Sequence, residues 1–205
     1  ETRDFYANEF DPQPSWRPNN NTLPHRVVFT AIYELPFGKG KRFLPGGVAG
    51  KVLGGWQLST VFQKQSGPAI AWGNEFYYGD LKDIEKAFNH EGAFSGDIHQ
   101  WFAANMPFEK DSGRRPGTFH VRVFPDRLDA LRAAGITNLD LRILRSFQLL
   151  PEGRLKAQLS ADMLNALNHT NFSSPNVNPR DGNFGKVTSQ RGLSRLIQAN
   201  LRFVF

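Results

Sequence analysis

The chain has 205 residues, a formal net charge of +6 and no cysteine. The absence of cysteine excludes disulfide frameworks, thiolate metal sites and cysteine nucleophiles. No run approaches the roughly 18–20 apolar residues of a membrane-spanning helix, so a helical membrane protein is excluded as well. Membrane-spanning strands are still allowed, because each needs only about 9–11 residues of alternating polarity.

Residues 1–24 are rich in proline and asparagine, with prolines at 12, 14 and 18 and asparagines at 19–21. Proline lacks a backbone donor and asparagine favours turns, so we expect no regular element in this stretch and interpret it as a loop segment. The chain begins with Glu1 and shows no signal peptide. We therefore expect either a processed protein or a piece of a longer one.

Five later segments alternate apolar and polar residues with a period of two, which is typical of strands with one apolar and one polar face. The predicted strands cover residues 25–35, 55–66, 138–149, 154–168 and 194–205. The last is the clearest, because every odd-numbered residue from Ile197 to Phe205 is apolar and the residues between them are mostly polar. The pattern predicts an all-β fold.

The fourth segment also fits a helix, in which Leu155, Leu159 and Met163 would share one stripe. We favour a strand, because Ala157 and Ala161 fall on the apolar face only with a period of two.

The connections between the strands alternate in length. They are the intermediate turn 36–55, the long connection 67–137, the tight turn 150–154 and the long connection 169–193. Outer-membrane barrels alternate in this way, with short turns on the periplasmic side and long loops outside. Within the first long connection, the spacing of apolar residues predicts a helix over 80–89, and a short helical turn is expected near 97–104.

These observations predict an antiparallel meander of about five long strands that forms part of a transmembrane β-barrel. Residues 25–205 would be the barrel segment, and residues 1–24 an extracellular loop segment. The apolar faces suit lipid, because they are aliphatic in the middle and carry aromatic residues near the strand ends.

Seven stretches, in order along the chain, carry a resemblance to one family. They cover residues 33–43, 53–68, 98–102, 138–142, 162–172, 184–189 and 197–205. Among them are Tyr-Glu-Leu-Pro-Phe-Gly-Lys-Gly at 33–40 and Asp-Met-Leu-Asn-Ala-Leu-Asn at 162–168. Together they resemble the C-terminal barrel region of TonB-dependent outer-membrane receptors of the Oar-like type.

The resemblance implies an outer-membrane protein of a Gram-negative bacterium that helps to import a large or scarce solute of unknown identity. Its implied partners are membrane lipid, the barrel-assembly machinery, its own N-terminal strands and plug, and TonB, which contacts the plug. The terminal Phe205 resembles the aromatic signal for membrane insertion, so its deletion from the full-length protein should lower the outer-membrane level. Five strands cannot close a bacterial barrel, so we expect the last strands of a larger receptor.

The long connections carry aromatic residues that are candidate contacts for the solute. The strongest candidates are Trp72, Tyr77, Tyr78 and Trp101. Aromatic surface of this kind could hold a sugar, a peptide or a chelate, and the sequence does not choose among them.

No catalytic or metal-binding pattern stands out. The five histidines lack metal-ligand spacing, and no serine lies in a nucleophile elbow. The basic run 38–42 lies in a turn rich in glycine and lacks the stripe of basic and stacking residues typical of nucleic-acid binding. We therefore expect no enzyme activity, no cofactor and no nucleic-acid partner.

Strand direction predicts the topology and one specific pair. If Phe205 lies at the periplasm, both long connections fall outside the cell and both shorter turns inside. A five-residue turn at 150–154 sets Arg142 opposite Asp162 on the polar, lumen-facing side. A three-residue turn would instead oppose Asp140 and Asp162, two like charges, which is unfavourable. A bulge near Arg145, whose charge otherwise faces lipid, is the main alternative within the strand.

Two other functions fit the same residues. An adhesion or surface-assembly protein could use the same outer-membrane barrel without transport. A soluble secreted β-sandwich could bind carbohydrate through exposed aromatic residues, and it would have short loops at both ends.

Overall fold

A computed structural model describes residues 2–5, 10, 12–13, 15–18, 22–89, 97–117, 120–150 and 155–205. The chain divides into two compact units, each built from three segments. The sheet unit consists of Arg26–Lys64, Thr137–Thr170 and Gly192–Phe205. The loop unit consists of Glu1–His25, Gln65–Ile136 and Asn171–Arg191.

The described residues form short and long strands and two short α-helices. In chain order the strands are β1 (Thr2–Phe5), β2 (Ser15–Pro18), β3 (Arg26–Glu34), β4 (Trp56–Gln65), β5 (Ala69–Ala71), β6 (Arg127–Arg132), β7 (Ile136–Gln148), β8 (Lys156–Leu164), β9 (Asn171–Phe172), β10 (Gln190–Arg191) and β11 (Leu196–Val204). The helices are α1 (Gly47–Leu53) and α2 (Leu81–Lys86), and Ser112–Arg114 form a 3-10 turn. None of the helices in the described residues is long and apolar enough to cross a membrane.

The five long strands form one sheet in the order β11-β8-β7-β4-β3, so strands that follow one another in this set are neighbours. The pairs β7–β8 and β8–β11 are antiparallel. The predicted antiparallel meander is therefore confirmed, and β8 is a strand rather than a helix. The largest difference in bounds is at the end of β8, which was predicted to reach residue 168 and ends at Leu164.

Alternation gives this sheet two chemically different faces. Cross-strand partners share a face, and one row joins Leu201 of β11 to Leu159 of β8. On this apolar side Ile197 and Leu201 are 63% and 62% exposed. Exposed aliphatic residues at alternate positions are what a lipid-facing strand requires.

Two expectations about the connecting segments are wrong, and one helix there was not expected. Residues 1–24 were expected to lack regular structure, but β1 and β2 pair antiparallel; Pro18 is tolerated because it lies at the end of the ladder. The turn 36–55 contains helix α1. The helical turn expected near 97–104 is absent. These residues, all of which are described, form turns and the isolated bridge Gln100–Lys186.

The loop unit has its own hydrophobic core. The predicted helix is present as α2, where the Asp80 side chain accepts from the Lys82 backbone nitrogen at 2.9 Å and caps the helix. Ile84 of this helix is fully buried. The core also contains the neighbours Trp101 and Phe102, together with Leu131 and, from the second long connection, Phe184. The described parts of the long connections are therefore folded structure with a packed interior, not irregular loops.

Candidate functional site

Strands β7 and β8 pair in the register that the charges on their polar face predicted. Arg142 lies opposite Asp162, and the distance from Arg142 Nε to Asp162 Oδ1 is 3.3 Å. The alternative register that opposes Asp140 and Asp162 is wrong; the Asp140 carboxylate instead accepts from the Asn165 backbone nitrogen at 2.9 Å. Residues 151–154 of the turn lie outside the described residues.

Asp162 is the centre of a polar network that crosses three strands. Its Oδ2 accepts from the Asn200 side-chain amide of β11 at 2.7 Å. The Gln198 side chain donates to Asn200 Oδ1 at 2.9 Å, and Arg142 donates to Ser160 Oγ at 3.4 Å. The network joins β7, β8 and β11 through side chains in addition to their backbone bonds. That this face lines a barrel lumen stays a prediction.

Arg145 lies on the apolar face, where its charge had suggested a bulge. The register of β7 with β8 runs through Arg145 without a shift, so there is no bulge in this pair. The guanidinium instead donates to the backbone carbonyls of Lys51 and Val52 at the end of α1. It also lies 4.5 Å from the ring centroid of Phe147 and 5.7 Å from that of Trp56. A cation at a helix C-terminus is favourable, and the aromatic rings cover its remaining faces.

Two of the four aromatic candidates for solute contact are wrong. Trp72 and Trp101 are 3% and 0% exposed, and both belong to the core of the loop unit. The ring of Trp72 packs against Phe102, Phe108 and Phe124, with centroids 5.1, 5.8 and 5.5 Å away. The sequence alone could not separate these residues from surface aromatics, because their burial depends on contacts between distant segments.

The other two aromatic candidates differ in exposure. Tyr77 is partly buried against Phe108, with centroids 4.6 Å apart, and burial is the main reason that its pKa lies above the ordinary value. Tyr78 is 69% exposed, and its hydroxyl donates to Glu109 Oε2 at 2.8 Å. That hydrogen bond is the main cause of a raised pKa for Tyr78. The pKa of Glu109 is lowered, first by the Asp111 backbone N–H and then by Tyr78.

A polar cavity of about 520 Å³ lies in the loop unit, and none of the four predicted aromatic contacts is among its lining residues. Its wall carries three arginines, one histidine, one glutamate and polar side chains. The lining residues are Asn74, Glu75, Arg115, Pro116, Gly117, His120, Arg122, Asn178 and Arg180. Its volume is in the range of sites that hold small molecules.

Hydrogen bonds to the backbone fix one side of this cavity. Arg122 donates to the carbonyl of Trp72 at 2.7 Å and to that of Gly73 at 3.3 Å. The Asn74 side chain accepts from the Val123 backbone nitrogen at 2.9 Å. Since Trp72 is part of the aromatic core, the position of the Arg122 guanidinium is tied to that core.

An ion pair fixes another part of the wall. Arg180 donates to Glu75 Oε2 at 2.6 Å, and both side chains are largely buried. The pair joins residues separated by 105 positions in the sequence. No local motif connects residues 75, 122 and 180, so the sequence carried no signal for this cavity.

No metal centre is found in the part of the chain that the structure describes, where no three histidine or acidic side chains come together. The segment Asp181-Gly182-Asn183, which resembles part of a calcium loop, forms a turn. There the Asp181 carboxylate accepts from the Asn183 backbone nitrogen at 2.8 Å. That bond, followed by one from the Asn176 side chain, holds the pKa of Asp181 below its ordinary value.

Phe205 follows β11 and is almost fully exposed. It continues the odd-numbered apolar series of that strand, as the sequence pattern indicated. Its role as an insertion signal stays a prediction.

The chain matches a family model described as an outer membrane beta barrel domain, over residues 1–198. The match includes β3, β4, β7 and β8 of the sheet and all three segments of the loop unit. No curated protein and no solved structure matches the chain.

Proposed function

We propose, from the premise that the chain belongs to the family of outer membrane beta barrel domains and lies in the outer membrane, that it works in solute import. Specifically, it would form the C-terminal strands of the barrel of a TonB-dependent receptor of the Oar-like type. The soluble carbohydrate-binding sandwich is contradicted by the family assignment.

The edges of the sheet support a larger barrel. Among the described residues, β3 and β11 are the outer strands of the five-stranded sheet, so each has one side without a partner strand in that sheet. An unsatisfied backbone group in lipid costs several kcal/mol, which closed barrels avoid. Further strands of the same receptor would cover these edges.

The polar face of the sheet supports a receptor whose barrel contains a plug domain. Its charged and amide groups alternate, as in the Arg142, Asp162 and Asn200 network. Mixed donors and acceptors suit hydrogen bonding to an inserted domain, whereas a selective pore would favour one sign of charge. TonB would then act on the barrel through that plug.

The loop unit favours a role in recognition, and it also keeps the adhesion alternative open. A core of its own gives it a defined surface, as expected for either a solute site or an attachment surface. Exposed Tyr78, Val121 and Val123 lie on that surface and are the observation that favours adhesion.

A binding measurement tests the proposal. The full-length receptor is extracted from outer membranes and titrated with the periplasmic domain of TonB from the same organism. We expect saturable binding that is lost when the plug segment upstream of this chain is deleted. A full-length protein that is present in the outer membrane but shows no binding to TonB would contradict import. Attachment of cells to surfaces, unchanged by removal of TonB but lost with this protein, would then favour adhesion.

A further inference from the structure

We propose that the cavity of the loop unit binds a small anionic solute that carries carboxylate or phosphate groups. The inference rests on the proposed import function for its biological role, and on the geometry of the loop unit for the binding itself.

The charge of the lining favours an anion. Arg115, Arg122 and Arg180 line the cavity, and Glu75 is the acidic residue among its lining residues. Glu75 already accepts a hydrogen bond from Arg180 at 2.6 Å. Asp126, which is not among the lining residues, lies 3.6 Å from Arg122. Three arginines against these two carboxylates still leave the wall an excess of positive charge. A cation would meet repulsion from these arginines.

The donors are held in place before a solute arrives. Backbone carbonyls of Trp72 and Gly73 hold Arg122, and Glu75 holds Arg180. Guanidinium groups bind carboxylates and phosphates through paired N–H donors. Because these two side chains are already ordered, binding loses little of their conformational entropy.

The arginines of this wall differ in exposure. Arg180 is largely buried, and its Nε has almost no accessible surface and no hydrogen bond within the described residues, so this atom is not offered to the cavity. Arg115, in contrast, is exposed at the edge of the cavity and can approach the solute from the solvent side.

A neutral sugar fits the cavity less well than an anion. Sugar sites offer aromatic faces, but Trp72, Tyr77, Tyr78 and Trp101 are not among the lining residues. The lining offers charged and amide groups instead. The chemistry therefore favours a polyanion of small-molecule size.

Binding can be measured by calorimetric titration of the detergent-purified full-length protein with citrate and, separately, with inorganic phosphate. Sucrose serves as the neutral control. We expect at least one anion to bind and sucrose not to bind, with an affinity that falls as salt is raised. The arm that binds more tightly identifies carboxylate or phosphate as the preferred group.

Two neighbouring arginines provide a matched pair of variants. Arg115→Gln removes a charge from the cavity, whereas Arg114→Gln removes one that pairs with Asp111 and does not line it. Loss of a charged hydrogen bond should weaken anion binding about tenfold in Arg115→Gln. Arg114→Gln should leave it unchanged.

Equal effects of the two variants, binding of sucrose as tight as that of the anions, or no binding of either anion would overturn the site. These outcomes are independent of TonB. Anion binding that depends on Arg115, in a receptor that does not bind TonB, would keep the site and remove the import function.

Discussion

The two units of this chain place their apolar residues in opposite ways. In the sheet unit, Ile197 and Leu201 lie on a strand surface and are mostly exposed. In the loop unit, Trp101, Phe102 and Ile84 are fully buried in a core. The two units therefore suit different surroundings. Exposed apolar faces are stable in lipid, whereas in water the same residue types must be covered.

The polar residues show the same contrast. In the sheet unit, the network around Asp162 lies on one face of the strands, and Arg145 is a charged residue on the other. In the loop unit, polar residues line a cavity fixed to the core, as Arg122 and Arg180 do. The polar network of the sheet unit therefore forms part of one strand face, and the polar residues of the loop unit form the wall of a cavity.

The largest expected effect is the loss of the core of the loop unit. Trp101→Ala should destabilise that unit by about 3–5 kcal/mol, because it leaves a cavity beside Phe88, whose ring centroid lies 5.7 Å away. Protease cleavage of the full-length protein at increasing urea measures the change. Tyr78→Ala, at an exposed aromatic position, is the control and should change cleavage little. Equal sensitivity of both variants would contradict the buried core.

The strands were predictable from the sequence because a period of two is a local signal. Each apolar face could be read from consecutive residues, and the opposition of Arg142 and Asp162 followed from face parity and charge. The short pair β1–β2 was missed because the prolines dominated the composition, although Pro12 lies between the two strands and Pro18 ends the second.

A charge on the lipid-facing side should have the next largest effect. Leu201→Arg places a cation near the middle of β11, which costs about 2–4 kcal/mol at the bilayer midplane. The outer-membrane level of the full-length protein should fall. Asn200→Arg puts the same charge at nearly the same depth but on the polar face, beside Asp162. Equal losses in the two variants would show that the faces are not lipid and lumen.

The cross-strand ion pair should contribute less. Arg142→Gln, Asp162→Asn and the double variant form a double-mutant cycle. We expect a coupling free energy of about 0.2–1 kcal/mol, since both side chains are partly solvated. Urea unfolding of the full-length protein in liposomes provides the values. A coupling of zero would indicate that the two charges do not interact in the membrane.

The smallest expected effect concerns the surface of the loop unit. Glu109→Gln should lower the pKa of Tyr78 toward its ordinary value of 10.0, because it removes the charged acceptor that favours the protonated phenol. Ultraviolet titration detects the change, with Tyr78→Phe subtracted to isolate this residue. Because the pKa is raised, Tyr78 should ionise only above the pH of ordinary tyrosines. An unchanged titration curve in Glu109→Gln would contradict the hydrogen bond.

The cavity could not be predicted, for a physical reason. Its fixed arginines are at positions 122 and 180. They line the same cavity only because separate segments pack around one aromatic core. Aromatic content in a long connection suggests either a core or a binding surface. Trp72 and Trp101 belong to the core and not to a binding surface.

Single-cysteine labelling tests whether the loop unit faces the outside of the cell and the apolar strand face lies in lipid, because these 205 residues include no cysteine. Tyr78→Cys, Val48→Cys and Leu201→Cys are made in a full-length protein from which any cysteine outside these 205 residues has been removed, and intact cells are treated with a membrane-impermeant maleimide. Tyr78 and Val48 are both exposed, in the loop unit and in α1. We expect labelling at position 78 on intact cells, at 48 only after the outer membrane is permeabilised, and at 201 only after denaturation. Labelling of 201 or 48 on intact cells, with 78 protected, would contradict the account.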